Sequence, residues 1–266
     1  MKIVITLIDT ACILLDIGGY RILTDPVFDP PGSYYHFGFG SMSKKYSTPA
    51  ILPETLGKVD LILLSHHQHE DNLDKAGRAY LSTVDQILST VPASKAIPGI
   101  KGLEDWQSTE ISDPRLPGGK MKITAVPARH TSVRILNPIA GKVIGFILQW
   151  EGLEGAYYIS GDTTYFDGID EIGKKFPKIE LAILNTGSAG FPYLTGPINY
   201  TLDSDEALET MKVLKPKQMI PIHASGWWHF RESLEDATEN YNLSVEKSKI
   251  LWLVPGKSHQ ISPNID

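Results

Sequence analysis

The chain has 266 residues, 42% hydrophobic and 21% charged, with a net charge of −6. These are ordinary globular proportions, and the negative charge argues against a broad surface for nucleic acid or an anionic membrane, while leaving room for a local basic pocket. The single cysteine, Cys12, excludes a disulfide within the chain and fits a reducing, cytoplasmic compartment.

The N-terminus carries Lys2 and a short apolar run, broken by Asp9 and Asp16. It is too short and too interrupted for a signal peptide or membrane span. Residues 3–7, 12–15 and 20–24 read as strands, with Gly18-Gly19 as a hairpin-type turn. Cys12 reads as a buried core residue. Residues 25–49 form a long irregular stretch containing Tyr34, Tyr35, Phe37, Phe39 and Tyr46. A loop of that length in a compact domain is usually functional or mobile, so a substrate-covering loop and a structural excursion are both open. A buried strand follows at 61–64, then a helix over 74–91 and a loop-rich stretch. Residues 120–126, 143–150, 156–160 and 181–184 read as strands, and Ile135, Leu136 and Pro138 as a further pocket wall. Asp203 with Glu206 forms a capping box of the Asp type, and Ala207, Leu208, Met211 and Leu214 recur at helical spacing. A helix over 233–241 and a closing strand at 251–254 complete the pattern. Strands in two batches, with helices between and after, fit two packed sheets with helices on their outer faces. No linker divides the candidate ligands, so residues 1–266 read as a single domain.

The densest chemistry is Ser65-His66-His67-Gln68-His69-Glu70-Asp71-Asn72-Leu73-Asp74, directly after an apolar run. In an extended segment, alternation puts His67, His69 and Asp71 on one side, and His66, Gln68 and Glu70 on the other. Two imidazoles and a carboxylate converging on a point suit a divalent metal; His66 is expected to face away. His130, Asp162 and His223 each follow an apolar run of their own. One histidine after a strand is usually structural. Four strands that deliver polar ligands at their exits point to one site at one edge of packed sheets.

The pattern His-x-His-x-Asp, a distant His, Gly161-Asp162 and a final His resembles the metallo-β-lactamase superfamily of metal-dependent hydrolases. The segment Arg21-Ile22-Leu23-Thr24-Asp25-Pro26 resembles the branch of ascorbate-phosphate lactonases and N-acyl-phosphatidylethanolamine phospholipase D. The resemblance implies a four-layer αββα sandwich, two mixed sheets flanked by helices. It implies a first metal site of His67, His69 and His130, and a second of Asp71, Asp162 and His223, with Asn72 as a further candidate ligand. One position departs, since the usual motif ends in Asp-His and this chain has Asp71-Asn72. Asn72 offers a carbonyl oxygen but no imidazole nitrogen. Zn²⁺ is expected at the first site. The second, richer in oxygen, would hold zinc less tightly and suit Mn²⁺ or Fe²⁺.

A metal held by three imidazoles leaves a position where water becomes acidic enough to attack near neutral pH. Asp71 and Asp162 are candidate catalytic residues, as bridge, orienting group or proton carrier. His229, close after His223, is a candidate proton donor or substrate contact, with an aromatic-cluster role as the alternative. Asp25, Glu70 and Asp74 are candidates to hold ligand imidazoles, each with a turn or helix-start role as the plainer reading. Arg129 and Arg134 are candidates for phosphate, His36 for a substrate contact, and His259 reads as a surface residue. The expected activity is metal-dependent hydrolysis of a small-molecule phosphodiester or lactone, the substrate phosphorylated in the first case. Two other classes stay open: a non-catalytic metal- or ligand-binding protein with a degraded second site, and a di-iron redox protein. No nucleic-acid partner is expected, and a homo-oligomer stays open.

Overall fold

The structure is a computed structural model that describes residues 2–38, 40–133 and 140–261. Phe39, Arg134, Ile135, Leu136 and Pro138 lie outside the described residues. A first sheet contains β1 (Ile3–Asp9), β2 (Cys12–Ile17), β3 (Tyr20–Thr24), β6 (Leu61–Leu63), β7 (Ile87–Thr90), β8 (Ile100–Leu103) and β15 (Ser258–Ile261). Its order is β15-β1-β2-β3-β6-β7-β8. The second sheet contains β9 (Ser108–Ser112), β10 (Lys120–Pro127), β11 (Ile144–Trp150), β12 (Ala156–Ile159), β13 (Ile179–Asn185) and β14 (Gln218–Ile222), in the order β14-β13-β12-β11-β10-β9. Both sheets are mixed. Pairing is antiparallel from β15 to β3 and from β9 to β12, and parallel beyond β3 and beyond β12.

Alternation along the strands explains the layering. Ile13 and Leu15 of β2, Leu61 and Leu63 of β6, Ile123 of β10, Phe146 of β11 and Leu181 of β13 meet in the core between the sheets. Their alternate neighbours Cys12, Leu14 and Ile62 face the opposite side of the first sheet, with Ala76 and Ala93 from the helices Lys75–Tyr80 and Val91–Ala96. Tyr158 and Ala182 face outward on the second sheet, against Ile169, Met211 and Tyr241 of the helices Asp167–Lys175, Ser204–Leu214 and Leu234–Leu243. The result is the expected αββα sandwich. Among the described residues, no helix is long and apolar enough to cross a membrane.

Three expectations are corrected. The helix over 74–91 is one helix of six residues, a short 3₁₀ turn and then β7. All four residues of β7 are buried although only Ile87 and Leu88 are apolar, and so short a segment has no periodicity that separates strand from helix. Residues 25–49 contain a separate hairpin, β4 (Tyr34–Gly38) with β5 (Ser41–Lys44). Residues 251–254 form no strand; the closing strand is β15, paired with β1. The Asp203 cap is present, its side chain accepting from Glu206 N.

Phe146, 1% exposed between the sheets, is a measure of this packing. Phe146→Ala is expected to destabilise the fold by about 3–5 kcal/mol, read as a lowered midpoint in urea unfolding.

Candidate metal centre and active site

The strand exits of β6, β10, β12 and β14 converge where the two sheets meet. Backbone bonds tie them there: Ile144 N donates to Ser65 O at 3.2 Å, and Ser160 N to Ile183 O at 2.9 Å. The chain after β6 bends and then turns, with Leu73 N donating to His69 O at 2.9 Å. Alternation therefore fails in this segment, and residues three apart come together. His66 Nε2 lies 3.2 Å from His69 Nδ1, and His130 Nε2 lies 2.8 Å from the same atom. These three residues form one group able to hold a metal.

His67, expected in that place, lies outside it. It is half-buried, and its carbonyl accepts from Arg78 Nη2 at 2.8 Å. His66, expected to face away, takes its position. Tyr200 O lies 3.0 Å from His130 Nδ1. A carbonyl can only accept, so the ring proton sits on Nδ1 and the Nε2 lone pair faces His69. Ser65 Oγ lies 2.9 Å from His66 Nδ1 and, as a hydroxyl able to donate or accept, holds that ring in place. Burial, with repulsion from neighbouring imidazoles, holds His66 well below its usual pKa and lowers His69 to about 3. Both rings are neutral near pH 7, the form that binds metal.

Asp71, Asp162 and His223 form a second group. His223 Nε2 lies 3.2 Å from Asp71 Oδ2 and 3.7 Å from Asp162 Oδ1. Burial would lower His223, but the Asp162 and Asp71 carboxylates overcome it and raise the imidazole to about 9. Burial would likewise raise Asp71, yet hydrogen bonds from His223 and His229 hold it well below the usual carboxylate range. Asp71 Oδ1 is buried without a hydrogen-bond partner. A buried carboxylate oxygen left bare is costly, and a cation would satisfy it. The donor set of each group fits a divalent ion. Asp162 faces both groups, since its Oδ2 lies 3.9 Å from His66 Nε2.

Asn72 supports this carboxylate from behind. Its Nδ2 donates to Asp162 Oδ1 at 3.3 Å and to Asp25 Oδ2 at 3.2 Å, while Asn185 Nδ2 donates to Asp162 Oδ1 at 2.7 Å. Asn72 Oδ1 is buried and unpartnered. Asp25 accepts from Ser65 N at 2.6 Å, and burial raises it to about 7 against that bond. Asp25 thus braces the segment, although it contacts Asn72 and Ser65 rather than a histidine. Asp74 caps the helix Lys75–Tyr80 and pairs with buried Lys45 at 3.3 Å. Glu70 Oε2 is buried without a hydrogen-bond partner, and burial raises this carboxyl to about 7.

His229 reaches the site. Its Nε2 lies 3.0 Å from Asp71 Oδ2 and its Nδ1 lies 2.7 Å from Ser43 Oγ. Phe191 stacks on its ring at 5.2 Å and 10°. A cavity of about 200 Å³ lies over both groups, touching His69, Asp71, His130, Asp162 and His229. Its walls include Phe37 and Ser41 of the hairpin, and Phe191, Leu194 and Tyr200. The hairpin does cover the site. Buried Lys45, just after β5, anchors it by ion pairs to Asp9 at 3.0 Å and to Asp74. His36 lies exposed on the outer hairpin face and does not line the cavity. Arg129 also points elsewhere: its Nη2 donates to Tyr165 O at 2.7 Å and its guanidinium lies over Phe166. His259 is half-buried, not a free surface residue. The sequence reading missed Ser43, Asn185, Phe191, Leu194 and Tyr200. Only the aromatic run Phe191-Pro192-Tyr193 in a Gly-Pro-rich stretch gave a signal there.

The family described as beta-lactamase superfamily domain matches residues 20–224. A metal-dependent hydrolase of Pyrococcus furiosus is 27% identical over 214 residues, 79% of this chain and 84% of that protein. Among solved structures, an isothiocyanate hydrolase from Delia radicum gut bacteria has a TM-score of 0.75 at 23% identity, covering 98% of this chain and 99% of that one. A protein of Veillonella parvula, described as a possible metal-dependent hydrolase, has a TM-score of 0.80 at 17% identity, covering 98% and 100%. At these identities the structural likeness is one of fold.

The proton on His223 gives a pH test. Below about pH 9 this ring is charged in the metal-free protein, and a cation must displace its proton to use it. Affinity at the group of Asp71, Asp162 and His223 is expected to fall about tenfold per pH unit below that value. Calorimetric titration in buffers of different ionisation enthalpy would read about one proton released at pH 7. No proton release at any stoichiometry would contradict this.

Proposed function

The chain is a metal-dependent hydrolase of the beta-lactamase superfamily, and we propose that it opens a neutral carbonyl substrate, a lactone or ester, in preference to a phosphodiester. The observation that carries this is the cavity wall. Aromatic and aliphatic side chains surround the two ligand groups, and no Lys or Arg is among the described residues that line the cavity. An anionic phosphodiester is usually gripped by guanidinium or ammonium groups, and Arg129 is turned away. The branch resemblance allowed both chemistries; the described part of the wall, which does not include Arg134, favours the uncharged one.

A divalent ion held here supplies a Lewis acid and acidifies a water molecule. The group His66, His69 and His130 suits Zn²⁺, and the oxygen-richer group suits Mn²⁺ or Fe²⁺ as well. The protein's own residues do the rest. Asp162, held by Asn185 and Asn72, joins the two groups. The Asp71 carboxylate can only accept, so the ring proton of His229 sits on Nε2. That proton is placed to pass to the leaving oxygen of an opened ester. Ser43 at Nδ1 fixes the ring's angle. Phe37 and Phe191 exclude water from the same end. The buried free thiol of Cys12 is compatible with a reducing cytoplasm.

The test compares a γ-alkyl lactone with bis(p-nitrophenyl) phosphate after loading with Zn²⁺ or Mn²⁺. Lactone turnover is expected to exceed phosphodiester cleavage, and Asp162→Ala to lower it at least about 100-fold, the upper range for metal-site supports. Faster cleavage of the phosphodiester would sink the carbonyl reading.

A further inference from the structure

Resting on that carbonyl reading, we propose that Phe37, Phe191 and Leu194 select an apolar tail on the substrate, and that the tail leaves the cavity over Leu194. The wall starts at the reacting end. Phe37 lies 4.7 Å from the His229 ring and 5.5 Å from Phe191, which stacks on the same histidine. It ends at Leu194, which lines the cavity yet is 46% exposed. Leu194 therefore stands at the mouth of a cavity that Gly38 and Ser41 of the hairpin also line.

The mouth has a fixed frame. Tyr193 Oη accepts from Met42 N at 2.8 Å and lies 3.3 Å from Met42 O. This joins the short helix Pro192–Thr195 to the hairpin. Two of the hydroxyls that line the cavity already donate to backbone carbonyls. Ser41 Oγ donates to Gly38 O, and Thr195 Oγ1 to Phe191 O at 3.2 Å. A charged or hydroxylated tail would lose water and meet no free donor among these groups. An alkyl tail loses nothing and buries apolar surface against Leu194. Outside the mouth, half-exposed Met42 and exposed Tyr193 continue the apolar path.

The test is binding rather than turnover. Lactams resist hydrolysis, and a series of γ-alkyl-γ-lactams from methyl to hexyl can be titrated into the Zn²⁺-loaded protein by calorimetry. Kd is expected to fall at least about tenfold along the series, well within the gain available from five added methylenes. Leu194→Ser is expected to lose at least about threefold of that gain, and Leu194→Met to keep it. A Kd indifferent to chain length would overturn the proposal, as would an unchanged gain in Leu194→Ser. If lactones are not turned over while the lactam gain depends on Leu194, the carbonyl reaction fails and tail selection stands.

Discussion

The Asp162 carboxylate is the constraint to which the rest of the site answers. It is 1% exposed at the end of a strand whose neighbours are apolar. A buried carboxylate costs several kcal/mol unless hydrogen bonds or charges compensate it. Two amides, Asn185 and Asn72, donate to one oxygen, and the other faces His66. Its approach requires Gly161, which takes φ +61; a Cβ there would lie 2.7 Å from Ile144 O and 2.8 Å from Ser65 Cβ. Backbone strain gathers around the same site. His223 and Asp25 adopt φ of +57 and +31, a region that non-glycine residues rarely take. His223 is held there by its N–H to Thr10 O at 2.9 Å.

Asn72 changes its meaning in this setting. As a replacement for an imidazole it is a loss to the second group. As a donor to both Asp162 and Asp25, it keeps two buried carboxylates from facing each other unpartnered. The second group is consequently held in shape by amides, while the first is held by imidazoles whose far nitrogens are fixed by Ser65 and Tyr200. Over both lies the hairpin, a small sheet with little core of its own. It depends on the fully buried Lys45 between Asp9 and Asp74. Since Asp74 also caps the helix after Asp71, one ion-pair cluster sets the hairpin and the ligand segment together.

Most of the fold was legible because buried strands with alternating faces leave long apolar runs. β10, β11 and β13 are of this kind. β7 and β8 were not legible, because four-residue strands carry too few positions to show a period. β4 and β5 were hidden for another reason: only part of each strand faces the protein, and glycine and aromatic residues obscure the alternation. His69, Asp71, His130, Asp162 and His223 came together as their strand exits suggested, and His229 joins them as its nearness to His223 in sequence suggested. His67 did not. The rule that places i, i+2 and i+4 on one side needs an extended chain, and the bend after His66 replaces it with a spacing of three. Ser43, Asn185 and Leu194 were invisible, since each acts only through a partner more than 20 residues away in sequence or through the shape of the mouth.

The most direct measurement is a crystal structure of the Zn²⁺-loaded protein with anomalous diffraction at the zinc edge. The account predicts a strong peak bounded by His66, His69 and His130, and a weaker one bounded by Asp71, Asp162 and His223. A peak ligated by His67 with His66 turned away would contradict it.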